Sequence, residues 1–467
     1  MELRLIVKAS QPPPTLRSLT LAGRLWYLTE ALDVSRPENI PQYICVSYIW
    51  GSGRVPNPLY ETSVMSDQTL PALVAAMENS NCSSFWIDAF CIPLAQPQRR
   101  ATLESMGFIY SQASQVVVSL SETSFAAVKQ MVRSDRVDEN ALNSLDQDEW
   151  VRSVWTYQEV VNSKRLSFVT GNVAGAIVDG SHFLNCVGYS LDRYKKSHAC
   201  NPFDIRRKFA GLDALEDLIE DWHISSYTKR SAFQVMSNLD RRYTAEPQNY
   251  FYSMIGAISQ TPSARTSSPS ITELSETFMR ICEEKSDYSF LYSTAARDER
   301  LGRRWRPIPG HLHSLLPWGS WGESQPGHYD SQGFWLDNML RFEMATTMNE
   351  LSKQKIPQWL HQLELLNSDI ATIAEKVYQN LCLMGFSGSS AYILTEDGLF
   401  FPQKPLLGAV DVTILVSASI QATYGGPGLA KAIAGKAVSY TPGILAGTIS
   451  KERASSILIE AMPGMKS

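Results

Sequence analysis

The sequence predicts an α/β fold with a doubly wound, largely parallel sheet near the N-terminus, then a helical region and a β-rich C-terminal domain. Between residues 43 and 170, short β-branched or aromatic runs alternate with amphipathic stretches, the mark of strand–helix–strand units. Those runs lack clean polar alternation, as strands covered by helices on both faces do. After residue 386 the pattern changes to short strands separated by Gly or Pro turns, as in a small sheet or barrel.

In chain order, YICVSYIW (43–50) reads as a strand and LPALVAAMENS (70–80) as a helix. SSFWIDAFCI (83–92) reads as a second strand. QRRATLESMGFIYSQA (98–113) places Leu103, Met106, Ile109 and Tyr110 on one helical face. QVVVSLS (115–121) is a third strand, a polar helical segment follows, DEWVRSVWTYQEVV (148–161) is a helix and KRLSFVTG (164–171) a fourth strand. Residues 200–260 carry apolar positions three and four apart, and TPSARTSSPS (261–270) reads as an exposed loop. A helix near 271–285, a Trp-, Gly- and Pro-rich region (305–335) and a helix around 365–384 precede strands in AYILTEDGLFF, DVTILVSASI, GKAVSYTPGI and SSILIEA. These patterns divide the chain into an N-terminal extension (1–39), an α/β domain (40–180), a helical region (200–385) and a β-rich domain (386–467).

The length of 467 residues suits about three domains. A formal charge of -5 leaves no electrostatic footprint for a nucleic-acid backbone, so nucleic acid is not an expected partner. Seven cysteines without any CxxC encode neither a disulfide framework nor a zinc cluster. No apolar stretch reaches the roughly 18 residues of a membrane span, and the N-terminus lacks a signal-peptide core. The expectation is a cytoplasmic protein with reduced thiols, no metal and no membrane contact.

In a doubly wound sheet ligands bind beyond the carboxyl ends of the strands, where Trp50, Gly51, Asp88 and Cys91 fall. Gly51 and Gly53 permit close backbone approach to a ligand, or merely form a surface turn. Asp88, in an apolar run, needs a partner, either a structural cap or a ligand hydroxyl. Cys91 lacks a nearby base, since no histidine precedes His182, and reads first as a small buried hydrophobe. Arg152, Trp155 and Glu159, three and four residues apart, share one helical face. They offer a cation, an aromatic plate and a carboxylate, or a core Trp beside an Arg–Glu pair. His311 and His313 read as solvated loop residues, and the tryptophans of 305–335 either pack a core or line a small-molecule pocket.

Three segments together resemble the fungal heterokaryon-incompatibility (HET) domain: Val46-Ser47-Tyr48-Ile49-Trp50-Gly51, Trp86-Ile87-Asp88-Ala89-Phe90-Cys91-Ile92 and Trp155-Thr156-Tyr157-Gln158-Glu159. LPAL before the second and MGFIYSQASQVVVSL after it look like the family's helix and strand. RRYTAEPQNYFYSMIGAIS (241–259), LPWGSW (316–321) and the C-terminal strands extend the likeness along nearly the whole chain. Leu94 stands where the family has Gln, and Arg152 lies one position before the usual Arg site. The resemblance implies a TIR/flavodoxin-like sheet and a role in fungal non-self recognition and cell death. HET domains are similar in fold to TIR domains, whose NAD-cleaving members carry a catalytic Glu four residues after a helical Trp, a spacing that Trp155 and Glu159 share. Glu159 and Asp88 are then catalytic candidates, with Trp50, Gly51, Arg152, Trp155 and Cys91 around the substrate and NAD as substrate rather than cofactor. The implied partners are a small molecule, a second copy of the chain or a partner incompatibility protein. Two further roles remain open, a HET-like scaffold recruited as a secondary-metabolite enzyme and a non-catalytic signalling module.

Overall fold

The computed structural model describes residues 1–461 apart from 12–14, 134–137, 171–176, 201, 224–226, 228, 265–268, 317–320, 323, 362–367, 423–424 and 436. The chain forms two compact units, Met1–Ile224 with Arg242–Ser270, and Ser225–Arg241 with Ile271–Ser467.

The first unit opens with three strands, β1 (Ile6–Lys8), β2 (Ser18–Leu21) and β3 (Arg24–Leu28). Ala22 and Gly23 both take positive φ between β2 and β3, the geometry of a tight hairpin turn. The central strand β4 (Ile44–Tyr48) follows, then the ribbon β5 (Arg54–Pro56) and β6 (Val64–Ser66), helix α1 (Thr69–Glu78) and β7 (Ser84–Trp86). Next come α2 (Asp88–Cys91), α3 (Gln98–Glu104), α4 (Met106–Gln112) and β8 (Gln115–Leu120). Four helices, α5 (Glu122–Arg133), α6 (Glu139–Asp146), α7 (Glu149–Arg152) and α8 (Val154–Val161), lead to β9 (Leu166–Thr170) and the edge strand β10 (Ile177–Asp179). Helices α9 (Gly180–Ser197), α10 (Pro202–Lys208) and α11 (Ala210–His223) follow. After α12 (Ala232–Leu239), which belongs to the second unit, α13 (Pro247–Ile258) returns to pack against α8 and α4.

Eight strands form one sheet in the order β10-β9-β8-β4-β7-β1-β3-β2. β7, β4, β8 and β9 run parallel, as the sequence predicts, and β4, β7 and β9 are buried along nearly their whole length. The residues before 40 supply three antiparallel strands of this sheet, with β1 on β7 and β3 on β1.

Three elements depart from the sequence reading. The strand expected over 83–92 stops at Trp86, because the Asp88 side chain accepts the Ala89 amide and Phe90 and Cys91 bond back to Ile87. The helix expected over 98–113 divides at Ser105, whose hydroxyl bonds back to the Ala101 carbonyl (2.6 Å). The helix expected over 148–161 divides at Ser153: the Arg152 carbonyl accepts from Tyr243 N (2.6 Å) and Val154 N donates to the Tyr243 carbonyl (3.1 Å), so a strand-like bridge takes the place of helical bonds. Arg152 therefore does not share a helix with Trp155 and Glu159.

The second unit contains α12, α14 (Ile271–Glu284), β11 (Trp321–Gly322), β12 (Gly327–Tyr329), β13 (Gly333–Phe342), α15 (Glu350–His361) and α16 (Ile370–Leu383). It continues with β14 (Ile393–Thr395), β15 (Gly398–Pro402), β16 (Asp411–Ser417), β17 (Ile420–Gln421), β18 (Gly425–Ala434), β19 (Ala437–Gly447) and β20 (Ser455–Ala461). An antiparallel sheet runs β12-β13-β16-β18-β19-β15-β14, with β20 on β13, so it draws strands from the Trp-rich region as well as from the C-terminus. Leu340, Phe342, Phe400, Ile414, Val416 and Leu445 fill its core. Trp305 is fully buried and stacks on Phe334 at 4.0 Å, which is core packing. Most of the LPWGSW segment, residues 317–320, lies outside the described residues. No helix among the described residues is long and apolar enough to cross a membrane.

Candidate functional site

Strand β4 carries one small hydroxyl in an otherwise apolar buried run, and that residue organises the site. Ser47 is 2% exposed. Its Oγ donates to Glu159 Oε2 at 2.5 Å and accepts from the Trp150 indole at 2.8 Å. The Tyr110 hydroxyl, from α4, also bonds Glu159. Glu159 lies on α8 with 8% of its surface exposed. Burial pushes its carboxyl up to about 7, against the pull of the Ser47, Tyr110 and Trp150 hydrogen bonds, and the charge of Asp88 pushes in the same direction as burial.

Asp88 starts α2 just beyond the carboxyl end of β7 and keeps a partly exposed edge. Tyr48 OH donates to its Oδ1 (2.8 Å), the Trp50 indole to its Oδ2 (2.7 Å) and Ala89 N to Oδ1 (2.6 Å). Tyr48 also meets Thr69 of α1 at 2.9 Å. Burial raises the Asp88 carboxyl, while the Trp50 and Tyr48 bonds oppose it. Successive strand residues point to opposite faces, so Ser47 and Tyr48 hold the two carboxylates from opposite sides of β4 at the same end of the sheet.

The other sequence-predicted residues divide. Trp50 is 38% exposed beside Asp88. Gly51 has φ +53, a turn conformation that favours glycine. The loop turns its carbonyls onto one cation, since Arg54 Nη1 donates to the Trp50, Gly51 and Gly53 carbonyls at 3.3, 2.9 and 2.8 Å. A phosphate cradle needs amides in that place. Cys91 is fully buried with its thiol pushed up to about 12 by burial, the state of a core thiol rather than a ligand-facing one. Arg152 is exposed and donates to Gln147 Oε1 (3.1 Å), away from the Glu159 network. Trp155 is half-buried one turn before Glu159. In the second unit His313 pairs with Asp240 at 2.9 Å. No group of three or more His, Cys, Asp or Glu able to hold a metal occurs among the described residues.

Sequence reasoning missed Ser47, Tyr48, Tyr110 and Trp150 as the groups that hold the carboxylates. The available signal was a lone serine inside a buried strand. The Ser153 hydroxyl, which accepts the Trp155 amide at 3.3 Å, caps α8 and sets where Glu159 enters. Ser153→Ala is expected to cost about 1 kcal/mol, read as a lower urea midpoint at unchanged slope. An unchanged midpoint would count against the cap.

Residues 43–159 match the family model described as Heterokaryon incompatibility protein (HET). The match begins at Tyr43 and ends at Glu159, so it encloses both carboxylates and the groups that hold them. No curated protein and no solved structure gives a significant match.

Proposed function

We propose that this chain, with its HET domain at residues 43–159, is a cytoplasmic fungal protein of heterokaryon incompatibility and cell death, and that the domain cleaves the N-glycosidic bond of NAD. The parallel strands run second-first-third-fourth across the sheet, an order that supports a TIR/flavodoxin-like assignment with its ligand at the carboxyl ends. The observation that carries the chemistry is the Glu159 carboxyl, buried at that end and poised at about 7.

The ribosyl C1′–N bond breaks with its electron pair leaving on nicotinamide, and the sugar becomes oxocarbenium-like. The Glu159 carboxylate stabilises that cation from one side of β4, while Asp88 and Trp50, on the other side, reach the ribose hydroxyls only past the carboxyl end of the strand. Water then adds at C1′ and loses a proton, giving ADP-ribose. The ionised form of Glu159 does this work, so nicotinamide release should rise with pH through about 7, by about tenfold per unit well below that value. Chromatography of NAD reactions between about pH 5.5 and 8.5 checks this. A flat or falling profile counts against Glu159 as the stabilising group.

One observation favours a second reading, a non-catalytic module that signals by assembling with itself or a partner incompatibility protein. Glu159 is already hydrogen-bonded by Ser47 and Tyr110 and only 8% exposed, as a structural acid is. Normal assembly and cell-death signalling by a Glu159→Gln chain would favour that module.

A further inference from the structure

At the opposite, amino end of the same parallel strands lies an open depression of about 510 Å³, within the roughly 300–1,000 Å³ usual for small-molecule sites. Tyr43, Ser114 and Arg165, the residues just before or at the starts of β4, β8 and β9, line it together with Lys164 and Gln112. Lys164 and Arg165 are both exposed. No Asp or Glu is among the lining residues, and among the described residues no carboxylate forms an ion pair with Lys164 or Arg165. In a chain of net charge -5 this concentrates positive charge in one concave place. Among the described residues the Lys164 ammonium donates only to the Gln112 carbonyl, at 3.4 Å, which leaves donors for a ligand. Ile40 and Pro41 add an apolar wall, and buried Tyr43, its hydroxyl tied to the Ile109 carbonyl at 2.6 Å, fixes the floor.

We propose that this depression binds a phosphate-bearing small molecule of mononucleotide size, its phosphate on Lys164 and Arg165 and its apolar part against Ile40 and Pro41. The site is separate from the Asp88 and Glu159 end of the sheet and does not rest on the glycohydrolase reading. Paired Lys and Arg donors suit a phosphate better than a single-charge carboxylate, and the wall gives a ring system a surface that free phosphate cannot use.

Isothermal titration of the intact chain with AMP, adenosine and inorganic phosphate tests it. AMP should bind at least about tenfold more tightly than either of the others, and more weakly as salt rises. Lys164→Ala/Arg165→Ala and, as a second variant, Lys164→Gln/Arg165→Gln should each lose at least about tenfold in AMP affinity with unchanged circular dichroism. Lys404→Ala, which removes an exposed lysine of the second unit, should leave AMP affinity unchanged. The proposal is overturned by absence of AMP binding at millimolar concentration, by adenosine or phosphate binding as tightly as AMP, by full affinity in both double variants, or by an equal loss of affinity in Lys404→Ala.

Discussion

Glu159→Gln should lower nicotinamide release from NAD by about 10²- to 10³-fold, about 3 to 4 kcal/mol, the usual cost of losing one strong electrostatic stabiliser of a transition state. The loss should appear in kcat rather than KM, because the cation that Glu159 is proposed to stabilise exists only in the transition state. Stability should move the other way. The folded-state value of Glu159 lies near 7 and the ordinary value is 4.5, so the folded chain holds this proton more tightly than the unfolded one. Stability therefore falls as pH rises from about 4.5 to about 7 and stays lower above that, by about 3 kcal/mol for this one group. Glutamine carries no charge to desolvate, so at pH 8 the variant should unfold at an equal or higher temperature than the parent while turning over far more slowly. A variant that keeps its kcat would remove Glu159 from the reaction. A variant that no longer folds would make the carboxyl a structural group.

Gly107→Ala should destabilise the first unit by about 3 kcal/mol, at the upper end of overpacking effects. α4 and α13 approach so closely that a Cβ on Gly107 would lie 2.1 Å from the Gly256 carbonyl oxygen and 2.2 Å from that of Ser259. Both are backbone atoms, so neither can rotate aside. The Gly256 carbonyl is also fixed by the Asn162 side chain at 2.8 Å, which locks α8 into the same crossing. Tyr110 stands one turn further along α4, so a displaced α4 also moves a hydroxyl that holds Glu159. Thermal or urea unfolding measures the effect. A Gly107→Ala chain as stable as the parent would mean that the two helices do not meet as described.

The parallel core was legible because strands such as β4, β8 and β9 are apolar on both faces and leave a clear mark. The helix break at Ser153 was not, since its cause is remote: Tyr243 lies about ninety residues away, and its bridge satisfies the backbone where the helix stops. The break at Ser105 is local, but the helical spacing of the apolar positions runs straight through it and hides the serine's bond back to Ala101. The apolar run 83–92 reads as strand straight through Asp88, because the turn into α2 depends on the Asp88 side chain accepting the Ala89 amide, which strand propensity does not register. The N-terminal strands are only 3 to 5 residues long, and the Ala22-Gly23 turn is a weaker hairpin signal than Asn-Gly. Within the candidate site, the residue types of Glu159, Asp88 and Trp50 were readable from the motifs. The groups that tune them, Ser47, Tyr110 and Trp150, come from β4, α4 and α7 and meet only in three dimensions.

The central claim, that this domain breaks the N-glycosidic bond of NAD, is tested most directly by incubating the intact chain with NAD at pH 8, alone, under crowding and with an assembling partner, and separating the products by chromatography. Nicotinamide and ADP-ribose in equal amounts, formed by the parent chain in at least one assembled state, are the result expected. Intact NAD in every state would contradict the claim and leave residues 43–159 as a non-catalytic module.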